Sequence, residues 1–336
     1  MAQNHAKAVD MKQTILENLK VLRNIEKTNG QKFKVIAYSK VIKQLETHDK
    51  PITSVEDLQS ISGIGKGIKE KIEEIIKSGY TEKTKEALDK TSAQGAIMAA
   101  MESLTQIMGV GPVKAKELIE QHKIVTIDEL RNRLDLLNDK QRMGLKYHDD
   151  FMKRIPRAEM DKHFAFIEDA VKSADKDLIF EMTGSYRRGL KDSGDIDVLV
   201  TYRGDNVAKA EAAFRNIIEH LRKKKYLADD FAFGDKKYNG VCRLPRHRSY
   251  RRIDIMYTEP ERFPFALLYF TGSQDFNIGM RKKALELGYS LNEYGLKETG
   301  GKKDDTIAHQ FHTEQDVFKF LGMEYVAPKD RVKVMS

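Results

Sequence analysis

Disulfides, an apolar leader and membrane-length apolar runs are all missing from this 336-residue sequence. Its one cysteine, Cys242, excludes a disulfide framework within the chain and fits a reducing compartment. The opening stretch MAQNHAKAVDMKQTILENLK has no apolar segment of the kind a secretory signal needs, so no signal is expected. No stretch approaches the ~18 consecutive apolar residues of a membrane span, so no membrane partner is expected either. What is abundant is charge. Charged residues make up 33% and hydrophobic ones 40%, with a net charge of +8. That balance describes a globular chain with a highly charged surface and points toward a polyanionic partner. The longest basic run, Arg222-Lys223-Lys224-Lys225, is read as the end of a helix whose dipole favours cations, in preference to a localisation signal.

The length suggests about two to four compact units. Residues 1–90 read as short amphipathic helices, with Ile15, Leu19, Leu22 and Ile25 at helical spacing in the first. TSAQGAIMAAMES, with small residues around Gly95, reads as a joint to a second helical unit ending near GLKYHDDFMKRIP, where Pro156 demands a new helix start. From about residue 178 the pattern changes to short β-branched or apolar runs bounded by turns: DLIFEMTGS, DIDVLVTY, GVCRLP and RRIDIMYT. These read as strands, with KHFAFIEDAVKSA and KAEAAFRNIIEHL as helices between them. After Pro264 a last small α/β unit is expected, with a helix at MRKKALELG and one strand at SLNEYGLKE.

One repeat stands out. Leu58-x-x-Ile61-x-Gly63-Ile64-Gly65 returns 46 residues later as Leu104-x-x-Ile107-x-Gly109-Val110-Gly111. A helix, a Gly-apolar-Gly turn and the start of a second helix direct backbone amides outward, where the helix dipole helps them hold a phosphate. Such binding touches only the backbone of a nucleic acid and ignores its sequence. Two copies in a basic chain favour duplex-backbone binding by Gly63, Gly65, Gly109 and Gly111 over a plain turn. The form matches the helix-hairpin-helix motif. In that motif turn carbonyls also hold a monovalent cation, Na+ or K+, and the matching positions are Gln59, Ile61 and Ile64, then Thr105, Ile107 and Val110.

In DIDVLVTY, Asp195 and Asp197 stand two positions apart and so share one face of a strand. Two carboxylates this close repel each other unless a cation lies between them, and Mg2+ prefers oxygen ligands. A third acid on a neighbouring strand would complete a two-metal site. Asp254, between Ile253 and Ile255 in RRIDIMYT, is the candidate. Asp192 is read as a solvated surface acid. Upstream, Gly184-Ser185-Tyr186-Arg187-Arg188-Gly189 offers amides, a hydroxyl and guanidiniums suited to a triphosphate. Gly-Ser, nine residues, then Asp-x-Asp among apolar neighbours is the nucleotidyltransferase signature.

Taken together, GSYRRG, SGDIDVLVT, RRIDI, LLYFTGSQDFN, LNEYGL and KRIPR carry the resemblance. Over roughly residues 10–332 the chain resembles the family X DNA polymerases, most of all those of the β type. The resemblance implies an α+β multidomain fold. A 1–90 lyase domain bears the first helix-hairpin-helix, a 91–152 fingers-like segment bears the second, a 153–262 palm carries a mixed sheet, and a 263–336 unit selects the nucleotide. It implies template-directed addition of dNMP to a primer 3′-hydroxyl in short gaps, as in base excision repair. The partners are gapped or nicked duplex DNA with a 5′-phosphate and a dNTP, the protein a monomer, the compartment the nucleus. Asp195 and Asp197 would each bind both of two Mg2+ ions, replaceable by Mn2+, and Asp254 the catalytic one. Ser185, Arg188, the Gly194 amide and Arg154 would hold the phosphates. Tyr269, Phe270 and Gly272 would line the sugar, and Asn277 would read the base edge. Arg281, Arg252 and Tyr294 would contact DNA.

The N-terminal unit resembles a 5′-deoxyribose-phosphate lyase, with Lys71 at the position of the Schiff-base lysine. Lys34 and Lys83 would attract the 5′-phosphate, Tyr38 would position the sugar, and Lys66 and Lys69 would also face DNA. Four positions depart from the family pattern: Gly67 for a lysine, Phe33 for a histidine, Gln274 for an aspartate and Met256 for an arginine. The first pair bears on affinity for the 5′-phosphate, the second on base selection and closing. The short connection RHRSY between GVCRLP and RRIDI favours template dependence. The absence of a partner-binding domain before residue 10 sets the longer members apart as poorer matches. Two other readings stay open at this point: a transferase acting on RNA ends, and a DNA-end-binding scaffold without catalysis.

Overall fold

The computed structural model describes residues 10–89, 93–204, 206–300, 306–308 and 310–331. The expectation for the extreme N-terminus lies largely outside them. The chain divides into two compact units, Met1–Leu145 and Lys146–Ser336.

The first unit is helical: α1 (Lys12–Thr28), α2 (Lys32–Glu46), α3 (Lys66–Ser78), α4 (Glu82–Leu88), α5 (Ala93–Thr105), α6 (Pro112–His122), α7 (Ile127–Arg131) and α8 (Asp139–Lys146), the last reaching the unit boundary. Two apolar cores serve it. Ile15, Leu19, Leu22 and Ile25 of α1 pack with Val41 and Leu45 of α2 and Ile72 and Ile75 of α3. Leu104 and Ile107 pack with Leu118, Leu130 and Leu145 in the second. Of the expected joint TSAQGAIMAAMES, residues 93–103 are helical, within α5, between the last residue of the first core, Ala87, and the body of the second; residues 91–92 lie outside the described residues. Alanine and methionine are strong helix formers, and Ala100, Met101 and Leu104 supply a buried stripe that outweighs the cost of Gly95.

The second unit holds α9 (His148–Phe151), β1 (Ile155–Pro156), α10 (Arg157–Ala174), β2 (Leu178–Met182), α11 (Gly184–Arg187), β3 (Asp192–Ser193), β4 (Ile196–Tyr202), α12 (Val207–Lys223), β5 (Leu227–Phe233), β6 (Lys237–Cys242) and β7 (Arg251–Tyr257). Pro156 is the N-cap of α10, the new start its ring requires. The five-stranded sheet runs β2-β4-β7-β6-β5, with β4 and β7 parallel and the other neighbours antiparallel. Its core face packs Ile196, Val198, Ile253 and Ile255 against Phe214, Ile217 and Leu221 of α12. The strand expected at GVCRLP sits earlier, at Lys237–Cys242.

Beyond it come α13 (Phe263–Thr271), α14 (Gln274–Glu286), β8 (Tyr289–Asn292), β9 (Gly295–Glu298) and α15 (Glu314–Phe320). SLNEYGLKE is a hairpin of β8 and β9, not one strand. Gly295, at φ +145° with Ile307 O 2.7 Å from where a Cβ would sit, marks the turn. The fold class is the α+β, multidomain one expected from the sequence.

Candidate active site

The pairing of β4 with β7 decides the geometry of the acids. Their register sets Asp197 directly beside Asp254, with Ile196 beside Ile253 and Val198 beside Ile255. Alternation then turns Arg252, Asp254 and Met256 to one face of β7 while Ile253 and Ile255 enter the core. Two carboxylates therefore meet across adjacent strands at one end of the sheet. Burial, and then the charge of Asp254, push the Asp197 carboxyl up to about 6, against the opposing pull of Arg188 and Lys237. Asp254 accepts a hydrogen bond from Asn239 Nδ2 of β6. Asp195, one residue before β4, is ion-paired with Arg252. The structure thus brings Asp197 and Asp254 together and draws Asp195 onto a guanidinium. Among the described residues, no three acid, histidine or cysteine side chains stand as a finished metal cage. The donor set is nonetheless all hard oxygen, it is mutually repulsive at 197 and 254, and it already attracts a cation at 195. These residues fit a divalent metal ion.

The phosphate-type turn lies against the same acids. Gly184 has φ +57°, and a Cβ there would stand 2.5 Å from Asp197 Oδ2, so only glycine lets the turn approach the carboxylate. Thr183 N donates to Asp197 O at 2.9 Å, fixing that approach. Ser185 Oγ is 2.8 Å from Ser193 Oγ. Arg188 donates through Nη1 to Thr271 O at 2.6 Å, while its buried Nε has no hydrogen-bond partner. Burial holds the Arg188 guanidinium below its ordinary range. A half-buried guanidinium with an unused Nε donor suits an anion. Arg154 donates to Asp192 Oδ1 at 2.8 Å and to Asp192 O at 3.2 Å, and its Nη1 lies 3.0 Å from where a Gly194 Cβ would sit. Asp192 is therefore an ion-pair partner and not the solvated acid expected.

At the end of α13, Tyr269 and Phe270 meet edge to face at 5.0 Å, both half-buried. Asn277 Nδ2 donates to Tyr269 O at 2.7 Å, and the Arg281 guanidinium lies 5.2 Å from the Tyr269 ring. Gly272, at φ +66°, precedes a cis peptide to Ser273 and would place a Cβ 3.3 Å from Arg188 Nη1. Tyr294, in the turn after β8, is exposed. Of the departing residues, Met256 is half-buried two positions past Asp254, and Gln274 is exposed at the first position of α14.

Five contacts have no signal in the sequence pattern. Arg187 donates to Thr271 Oγ1 at 2.8 Å and to both carboxylate oxygens of Glu314, at 3.1 and 2.9 Å. Arg331, fully buried, donates to Glu314 Oε1 at 2.6 Å. The Arg157 guanidinium covers the Tyr186 ring at 3.8 Å, and Tyr186 Oη donates to Asp161 at 2.9 Å. Arg187 and Tyr186 lie inside the motif that was recognised, which was their only signal.

In the helical unit both repeats adopt one geometry. Gly63 and Gly109 have φ +90° and +87°, while Gly65 and Gly111 are extended N-caps of α3 and α6 without side-chain caps. A Cβ at Gly65 or Gly111 would meet nothing within 4 Å, so the helix ends are open. Glutamines strap both turns: Gln44 exchanges bonds with Ser62 N and O at 2.9 and 2.7 Å, and Gln141 donates to Gly109 O at 3.1 Å. Ile61, Ile107 and Val110 are buried, Ile64 and Thr105 are half-buried, and Gln59 is exposed. Lys71 is half-buried on α3; Lys66, Lys69 and Lys83 are exposed. Lys34 pairs with Glu26 at 3.2 Å. Tyr38 is buried, and burial followed by the charge of Glu26 pushes its phenol up to about 12. Phe33 is 90% exposed, and Gly67 faces open space.

Comparison with known proteins follows the same order along the chain. Residues 11–81 match a helix-hairpin-helix domain, and 102–152 match the fingers domain of DNA polymerase lambda. Residues 154–260 match the DNA polymerase beta palm, and 266–332 match the DNA polymerase beta thumb. The chain belongs to the family X DNA polymerases. DNA polymerase lambda of Rattus norvegicus is 33% identical over 97% of this chain and 57% of its own length. DNA polymerase lambda of Arabidopsis thaliana is 29% identical over 97% of this chain and 63% of its own length. This family X chain therefore spans about three-fifths of the length of the curated relatives it matches. Members of the family use divalent metal ions, in keeping with the oxygen donor set at residues 195, 197 and 254.

Proposed function

We propose that this family X chain is a template-directed DNA polymerase that fills short gaps during base excision repair and removes 5′-deoxyribose phosphate. The observation that carries the reading is the parallel register of Asp197 and Asp254 beside the Gly184–Arg188 turn. Asp195, Asp197 and Asp254 would hold two Mg2+ ions, or Mn2+ in their place. Bound there, such ions would neutralise the triphosphate and lower the pKa of the primer 3′-hydroxyl. The chain's own groups do the positioning. Ser185, Arg188, the Gly194 amide and Arg154 hold β- and γ-phosphate oxygens. Tyr269, Phe270 and Gly272 shape the sugar site, Asn277 faces the base edge, and Arg252, Arg281 and Tyr294 meet DNA. The two open glycine turns grip duplex phosphates through amides, with Na+ or K+ at the carbonyls of 59, 61 and 64 and of 105, 107 and 110.

For the lyase step, Lys71 Nζ adds to the sugar aldehyde and water leaves to form a Schiff base. Loss of a C2′ proton then breaks the C3′–O bond. Lys34, Lys66, Lys69 and Lys83 supply cations for the 5′-phosphate, and Tyr38 backs the sugar pocket. The division at residues 90, 152 and 262, a monomeric state, a dNTP and a 5′-phosphorylated gapped duplex as substrates, and the nucleus as compartment belong to the same proposal.

The test is extension on a one-nucleotide gap bearing a 5′-phosphate, coupled to borohydride trapping on an incised abasic site. Incorporation with dNTP in preference to rNTP, and trapping lost in Lys71→Ala, are expected. No incorporation with Mg2+ or Mn2+, or full trapping by Lys71→Ala, would overturn the respective half.

A further inference from the structure

One strongly charged surface has no part in the site just described. It lies in two loops at the end of the sheet that carries the acids. Strand directions place the N-terminal ends of β4, β5 and β7 together with the C-terminal end of β6. The last residue of α12, Lys223, and its connection into β5, Lys224 and Lys225, face the connection from β6 into β7, which contributes Arg243, Arg246 and Arg248; all six are exposed. The loops are neighbours, because Arg243 N donates to Tyr226 O at 2.9 Å and Leu227 pairs with Cys242.

The acids around them are already engaged. Asp229 bonds Lys146 and Tyr147, Asp230 bonds Arg222 and Tyr238, Glu159 bonds Arg251, and Asp150 bonds Lys153 and the amide of Tyr250. Among the described residues none of the six cations forms an ion pair. Arg222, in the same basic run, does, so the run is not uniformly a solvated helix end. Nor do these loops expose a large apolar side chain that a protein partner would need as an anchor. Tyr250 instead lies beneath the Arg243 guanidinium at 4.6 Å. The rim is continuous with the site: Arg251 pairs with Cys242 at the loop, and Arg252, next along β7, holds Asp195.

We propose that Lys223–Lys225, Arg243, Arg246 and Arg248 form a further backbone-binding surface, which holds phosphates of duplex DNA running on past the active centre. A purely cationic arc without apolar pockets recognises a polyanion by charge and not by sequence. Continuity with the acids favours the nucleic acid already in the site over an anionic membrane. The inference rests on the DNA substrate of the proposed function, but not on catalysis.

The experiment measures binding of the full chain to a gapped duplex with long arms, in EDTA, across a salt series. The variant replaces Lys224, Arg243, Arg246 and Arg248 by Gln. A second variant leaves Arg243 on Tyr250, and Arg222→Gln serves as the paired control. Each phosphate contact contributes about 0.9 to the slope of log K against log salt. The fourfold variant should therefore lose about 3 units of slope and about 10- to 100-fold in affinity at moderate salt. The second variant should lose about 2 to 3 units and the control none. An unchanged slope in both variants would overturn the proposal. So would lost binding to vesicles of phosphatidylcholine and phosphatidylserine with DNA binding intact. Incorporation is not read, so a chain that binds through the rim yet extends no primer would overturn the proposed function alone.

Discussion

At the residue scale, Asp197 shows what the site costs the fold. Its carboxyl is pushed up to about 6 by burial and by Asp254, so the folded chain holds the proton to higher pH than the unfolded chain does. A raised carboxyl pKa contributes stability at low pH that is lost as pH rises through the folded value. In EDTA above pH 7, Asp197→Asn is therefore expected to raise the melting temperature, by at most about 3 kcal/mol of stability, with the gain vanishing below pH 4. Incorporation should fall by at least about a thousandfold, the usual exchange of stability for function. Thermal melts at pH 4 and 8 check the first part and gap extension the second. A variant less stable than the parent at pH 8 would refute the electrostatic account.

At the scale of elements, Glu314 of α15 binds Arg187 of α11, Arg331 near the C-terminus and, through Arg187, Thr271 at the end of α13. These cations hold the Glu314 carboxyl below its ordinary range although burial opposes them. Removing one member of a buried ion group strands the others, at a cost of about 3–5 kcal/mol. Glu314→Ala should lose that much in denaturant unfolding, whereas a change under about 1 kcal/mol would show that the triad does not tie these elements. Nothing in the sequence pointed to this triad, because its members lie 17 and 127 positions apart without periodicity.

Strands β4 and β7 were legible because apolar residues alternate with acids, and the repeat was legible because glycine at positive φ has few substitutes. The edge strand β5, LADDFAF, was not. Its acids are not core-pattern residues; they serve Lys146, Tyr147, Arg222 and Tyr238. The single strand expected at SLNEYGLKE failed for a similar reason. Small residues and a lone turn glycine acquire their meaning from what packs on them. Of the candidate site, the acids on one strand face and the glycine turn before them were readable, whereas the Asp195–Arg252 pairing depends on side-chain conformation, which no pattern encodes.

For the whole molecule, a buried histidine lowers stability in acid. His163 of α10 is fully buried, with Nδ1 2.6 Å from Tyr226 Oη and Nε2 3.6 Å from Glu159. Burial is the main cause that lowers it to about 4, against the pull of Glu159. Unfolding frees it to take a proton at its ordinary value near 6.5. Asp197 titrates in the same window with the opposite sign, so in an Asp197→Asn background stability should drop by about 3 kcal/mol as pH falls from 6.5 to 4. Urea unfolding across that window checks the slope, and His163→Phe should flatten it; an unchanged slope would show that another group sets it.

The account as a whole stands on acids from two paired strands sharing divalent ions. The direct measurement is anomalous scattering from Mn2+ in crystals of the chain with gapped DNA and a non-hydrolysable dNTP. Two manganese peaks within coordination distance of Asp195, Asp197 and Asp254, with Asp195 released from Arg252, are predicted. A nucleotide bound with no manganese at these three side chains would contradict it.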